Sequence, residues 1–73
     1  MVIKKFENDV GWLKMYIKRS WGLRAKVYYV IKGNAMGRKT YVEFITRQEA
    51  EDVFIGLRKA TEHMSRLKKE GRI

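Results

Sequence analysis

Lysines and aromatic rings interleave at steps of two or four residues in three separate stretches of this chain: Trp12, Lys14, Tyr16 and Lys18; Lys26, Tyr28 and Lys32; Lys39 and Tyr41. Successive side chains of an extended strand point to opposite faces, so each set shares one face if its stretch is a strand. Ammonium groups neutralise phosphates and rings stack on sugars or bases, which is the chemistry of a nucleic-acid platform. The same residues also suit a second role, in which lysines blunt sheet edges and keep an open face soluble.

Catalytic chemistry has little to draw on. The chain has no cysteine and one histidine, His63, which has no partners for a zinc site. Ser20 and Ser65 are the only serines, and no carboxylate pair has a recognisable acid/base setting. The stretch GNAMGRKT has the wrong glycine spacing for a phosphate loop and precedes a strand. The expectation is a protein that is not an enzyme and holds no cofactor or metal.

Composition narrows the partner. Seventy-three residues make a single domain over 1–73, with 17 Lys and Arg against 8 Asp and Glu for a net charge of +9. A polyanion is the first partner to consider for so basic a chain. No apolar run approaches the ~20 residues of a membrane span, and MVIKKFENDV does not read as a signal peptide. An intracellular location, cytoplasm or nucleoid, is expected.

The elements that must carry these residues follow from periodicity. Ala50, Val53, Phe54, Leu57, Ala60 or Thr61, Met64 and Leu67 recur at helical steps. Thr46 and Glu49 form a capping box ahead of them, acids fill the first turns, and Lys68 and Lys69 the last. The spacing predicts a helix over 47–70, ended by Gly71, with Gly56 inside it marking close packing. Arg58, Lys59, Arg66, Lys68, Lys69 and Arg72 fall to its solvated side. Upstream, AKVYYVIK and KTYVEFIT alternate as two strands of a hairpin around the turn GNAMGR. Residues 9–21 fit a strand with Leu13, Met15 and Ile17 inward; the alternative is a helix, giving α-β-β-α. Residues 1–8 are a flexible basic arm or an extra strand built on Val2, Ile3 and Phe6.

The expected fold is therefore α+β: a three-stranded antiparallel sheet over residues 12–46, packed on one long C-terminal helix. Its core would be Leu13, Met15, Ile17, Leu23, Ala25, Val27, Tyr29, Ile31, Val42 and Phe44 against the helix stripe. Trp12, Lys14, Tyr16, Lys18, Lys26, Tyr28, Lys32, Lys39 and Tyr41 would lie on the uncovered face.

Two short motifs carry a resemblance. Arg19-Ser20-Trp21-Gly22 is similar to the turn before the second strand of the plant AP2 domain, where proline stands in place of Ser20. Phe44-Ile45-Thr46 with Glu49-Ala50 resembles the strand-to-helix junction of AP2 domains and of phage integrase arm-type domains. The strand-three tryptophan of AP2 domains has no counterpart here. The resemblance implies a three-stranded sheet laid on duplex DNA, with Lys26 and Tyr28 outward. Arg19, Arg24 and Lys26 would then reach guanine edges or phosphates, and Trp21 would pack on the sugar–phosphate backbone or close a hairpin end.

The candidate contacts are thus Lys14, Tyr16, Lys18, Arg19, Trp21, Arg24, Lys26, Tyr28, Lys39 and Tyr41. The expected function is duplex DNA binding by a monomer in a phage or mobile-element setting. Two alternatives stand beside it: a small phage-type inhibitor docking on an acidic surface of a host protein, and an RNA- or single-strand-binding module.

Overall fold

The computed structural model describes residues 1–22 and 26–72. Four strands and one helix follow in order: β1 (Val2–Glu7), β2 (Gly11–Arg19), β3 (Val27–Ala35), β4 (Arg38–Phe44) and α1 (Arg47–Lys69). The strands form one antiparallel meander in the order β1-β2-β3-β4. The class is α+β as expected, but the sheet has four strands rather than three. Within residues 9–21 the chain is strand over Gly11–Arg19, which removes the α-β-β-α alternative, and Val2–Glu7 within residues 1–8 supplies the extra strand.

The additional strand is pinned at its turn. Asn8 Oδ1 accepts from the Val10 and Gly11 N–H groups at 2.9 and 3.0 Å, and the Asn8 N–H donates to the Gly11 carbonyl at 2.9 Å. This side-chain bonding mimics a backbone turn and reverses the chain tightly. A bulge between Val2 and Lys4 then shifts the register. Val2 thereby sits opposite Tyr16, while Ile3 packs on the core and Phe6 pairs with Leu13.

Register sets the two faces. Leu13 opposes Gly33, Met15 opposes Ile31, and Ile17 opposes Tyr29; Ile31 opposes Val42 and Tyr29 opposes Phe44. These rows face α1, as alternation predicts. The buried centre is Leu13, Met15, Ile31, Ala50 and Phe54, with Ile3, Phe6, Tyr29, Phe44 and Leu57 packed around it. At Gly33 a Cβ would lie 2.6 Å from Leu13 Cδ2 and 2.8 Å from the Trp12 carbonyl oxygen. Only glycine lets Leu13 fold across β3.

The expected core was too wide. Val27 is 44% and Val42 38% exposed, because a single helix is narrower than the sheet it covers. Leu23 and Ala25, also expected in the core, lie outside the described residues. The β3–β4 turn is tighter than GNAMGR: Ala35 pairs with Arg38, leaving Met36 (φ 51°) and Gly37 (φ 81°) as a two-residue loop with both φ positive. That conformation matches the right-handed twist of the flanking strands.

Helix α1 begins where expected. Thr46 Oγ1 accepts from the Glu49 N–H at 3.3 Å, and Arg66, Lys68 and Lys69 occupy the last turn. At the other end the Gly71 N–H donates to the Lys68 carbonyl and the Arg72 N–H to that of Leu67, at 3.1 and 2.8 Å. With Gly71 at φ 76°, this is a Schellman ending.

The helix is rolled relative to the expected stripe. Its buried residues are Ala50, Phe54, Thr61 and Ser65; Val53 and Ala60 are exposed. Polar contacts set the roll. Asn8 Nδ2 donates to the Thr61 carbonyl at 3.2 Å, and the Ser65 hydroxyl donates to the Asp9 carboxylate. The C-terminal half of α1 therefore leans on the polar β1–β2 turn instead of on apolar sheet. Among the described residues, no helix is long and apolar enough to cross a membrane.

Candidate nucleic-acid interface

Three rows of side chains cross the face that α1 leaves open. The middle row is Lys5, Lys14, Lys32 and Tyr41, one residue from each strand in sequence order. To one side lie Val2, Tyr16, Val30 and Glu43; to the other, Glu7, Trp12, Asn34 and Lys39. Lys18 and Tyr28 continue the face beyond Tyr16 and Val30.

The lysine row is electrostatically costly. Residues directly opposite on neighbouring strands have Cβ atoms about 4.5–5.5 Å apart, and like charges there repel. Among the described residues Lys5, Lys14 and Lys32 join no ion pair; those present use Lys4, Lys18, Arg47, Arg58 and Arg72. Lys14 gains one compensation, lying 5.6 Å from the Tyr16 ring centroid in a cation–π contact.

The rings form a firm floor. Val30 has no exposure although it points away from α1. Tyr16 and Glu43 oppose it, and Tyr28 and Lys32 flank it along β3. Its burial requires these neighbours to lie over it, which leaves Tyr16 and Tyr28 half-buried and Trp12 and Tyr41 more open.

Two acids interrupt the surface, Glu7 at the β1 edge and Glu43 on β4. Glu43 Oε1 accepts from Tyr41 Oη at 2.7 Å and from Lys18 Nζ at 3.0 Å. The Tyr41 hydroxyl, followed by the Lys18 ammonium, lowers the Glu43 pKa. In return the hydrogen bond to Glu43 raises the pKa values of Lys18 and Tyr41. Lys18 is thus charged but already partnered.

The sequence candidates divide accordingly. Lys14, Tyr16, Lys18, Tyr28, Lys39 and Tyr41 share the open face. Lys26 is exposed just before β3, and its carbonyl accepts from the Ser20 N–H at 2.9 Å. Trp21 is 91% exposed in the β2–β3 connection, away from the rows. Arg19 pairs with Val27, which by alternation puts it on the α1 side of the sheet. Arg24 lies outside the described residues. Lys5 is not among the sequence candidates, because residues 1–8 fit an arm as well as a strand. Lys32 and Trp12 were placed on the face but not among the contacts. The alternation of Val-Ile-Lys-Lys-Phe-Glu was the signal for Lys5, blurred by the bulge at its start.

No family model, characterised protein or solved structure matches this chain.

Proposed function

We propose that the open face of the sheet binds duplex DNA, with Lys5, Lys14 and Lys32 neutralising phosphates and the surrounding rings contacting sugars and bases. The observation that carries this reading is the row of three lysines abreast without an acid between them. Such a row costs the free protein stability, and a polyanion laid across it turns that repulsion into attraction. The half-buried tyrosines support the same reading, since their bodies are held in place before any ligand arrives.

Lys39 extends the basic surface at one end, and Lys18 and Lys26 at the other. By resemblance to AP2-type and arm-type modules, Trp21 and Arg24 would add contacts from the β2–β3 connection. The resemblance also suggests an accessory or regulatory factor of a phage or mobile element as the setting. Binding rests mainly on phosphates and is correspondingly sensitive to salt.

The test is fluorescence anisotropy of a labelled random-sequence duplex at ~50 and ~200 mM salt, the range over which phosphate contacts show. Micromolar binding that weakens steeply with salt, and is lost in a Lys14→Glu, Lys32→Glu double variant that still melts cooperatively, is the expected result. Equal binding by parent and variant would remove the open face from the interface. Stronger competition by single strands than by duplex would replace duplex DNA as the ligand.

A further inference from the structure

We propose that two copies of the chain join edge to edge through β4, forming one continuous antiparallel sheet about a two-fold axis at Tyr41. Backbone bonding fixes which groups β4 turns outward. At the two ends of the β2–β3 pair, the Met36 N–H donates to the Val10 carbonyl at 3.1 Å and the Ser20 N–H to the Lys26 carbonyl at 2.9 Å. Antiparallel ladders alternate bonded with non-bonded pairs, so the even-numbered positions of β3 bond to β2 and the odd-numbered ones to β4. Opposite those odd positions stand Arg38, Thr40, Val42 and Phe44. The N–H and C=O groups of Lys39, Tyr41 and Glu43 therefore point away from β3, along the open edge of the sheet.

Unpaired edge groups are a template for a further strand, and proteins blunt them with bulges, prolines or very short strands. The β1 edge is blunted, because the register shift between Val2 and Lys4 leaves only Lys5 and Glu7 as regular outward residues. The β4 edge is not, since the strand runs seven residues without a bulge or proline. It also exposes an apolar residue on each face, Tyr41 at 54% on the open side and Val42 at 38% on the α1 side. The helix thus does not seal this edge.

The occupant is a second copy because β4 is complementary to itself. Two antiparallel copies centred on Tyr41 set each Lys39 opposite the other copy's Glu43, and each Thr40 opposite the other copy's Val42. Moving the axis to Thr40 or Val42 would pair two of the three outward residues and part Lys39 from Glu43. Lysine on an edge repels a stray strand, but in the Tyr41 register it meets an acid directly across the pair, where opposite charges attract. Both groups are available. Among the described residues Lys39 joins no ion pair, and Lys18 and Tyr41 bond to Oε1 of Glu43, neither to Oε2. Each match occurs twice, as a two-fold contact requires. The copies lie side by side, so their lysine rows extend one another instead of being pressed face to face. The open face becomes an eight-stranded platform, four strands from each copy, with both helices behind it.

Sedimentation equilibrium of the full chain without nucleic acid tests the pairing separately from DNA binding. It is run at high micromolar concentration near physiological salt, where the charge of +9 on each chain reaches only about 8 Å. The expected mass is twice the 8.7 kDa of one chain. Lys39→Glu should return it to one chain with an unchanged far-UV CD spectrum, and adding Glu43→Lys to that variant should restore the dimer. Within one strand the two positions stand ~13 Å apart, at ~3.3 Å per residue, so that rescue acts between copies. Amide hydrogen exchange gives a second readout that needs no variant. The N–H groups of Lys39, Tyr41 and Glu43 should gain protection as concentration rises, while those of Thr40 and Val42, already bonded to β3, stay protected throughout. A one-chain mass at the highest concentration would overturn the proposal, as would a mass that grows beyond two chains. So would a dimer that Lys39→Glu leaves unchanged, a double variant that stays a single chain, or a dimer whose outward amides remain unprotected.

Discussion

Glu43 is the residue on which the open face turns, because it is the one acid bonded to both a lysine and a ring of that surface. Its lowered pKa means the carboxylate is more stable in the folded chain than in the unfolded one. The stabilisation is therefore full above the unfolded carboxylate pKa and is lost as pH falls through the lower folded value. Removing the acid should act on binding in the opposite sense. Glu43→Gln keeps an acceptor for Lys18 but removes its counter-charge, raising the net charge of the face by one. Duplex affinity should rise at low salt, and the salt slope should steepen by about 0.9, the increment for one further phosphate contact. Anisotropy titrations at several salt concentrations measure both; an unchanged slope would mean that Lys18 lies outside the footprint. Asp9 obeys the same sign rule for another reason. The Ser65 hydroxyl is the main cause of its lowered pKa, so Ser65→Ala should move the Asp9 titration upward toward the ordinary carboxylate range. An NMR titration of the Asp9 carboxyl carbon checks this, and an unmoved midpoint would assign the shift to the hydrogen bond from the Asp9 backbone N–H and to the charges of Lys68 and Lys69.

Among the elements, those with a single dominant signal could be read from sequence. Helix α1 announced itself by its cap, its acids and its apolar steps, and β3 and β4 by strict alternation. Two features were not legible. The first strand carries a bulge at Ile3, and one inserted residue reverses the in-out pattern by which short strands are recognised. The roll of α1 was hidden because apolar spacing alone cannot distinguish a stripe facing the chain's own sheet from a neighbouring one. Only Asn8 and Asp9 decide that Thr61 and Ser65 turn inward, and they are more than fifty residues away in sequence. The core consequently centres on Phe54, which is 3% exposed, rather than on Phe44, which packs at its margin. Truncating a fully buried phenylalanine costs about 3–5 kcal/mol, comparable to the ~3–5 kcal/mol that so small a core supplies. Phe54→Ala should abolish the cooperative thermal transition, whereas Phe44→Ala should lower the melting temperature and leave a folded population. Calorimetry distinguishes the two, and a cooperative Phe54→Ala melt near the parent temperature would move the centre of the core elsewhere.

Across the whole molecule, the question is whether net charge or its placement governs binding. The Cα framework measures 53 × 21 × 15 Å, so α1 and the lysine rows lie on opposite sides of a thin, elongated body. The Debye length is about 8 Å at physiological ionic strength. A charge on the outer side of α1 is therefore separated from a ligand on the sheet by more than one screening length. Lys32 and Lys69 make a matched comparison. Both are exposed lysines, and changing either to glutamate lowers the net charge from +9 by the same two units. Lys32 stands in the central row, opposite Lys14 and Tyr41, whereas Lys69 ends the helix on the far side. Near 150 mM salt, Lys32→Glu should weaken duplex binding by at least tenfold, about 1.4 kcal/mol. Lys69→Glu should change it by less than about twofold at that salt, with a larger effect appearing only as ionic strength falls and the screening length grows. Parallel titrations of the two variants decide the matter. Equal losses at physiological salt would make the protein a diffuse polycation whose sheet has no privileged role; a dominant loss from Lys69→Glu would transfer the interface to the helix.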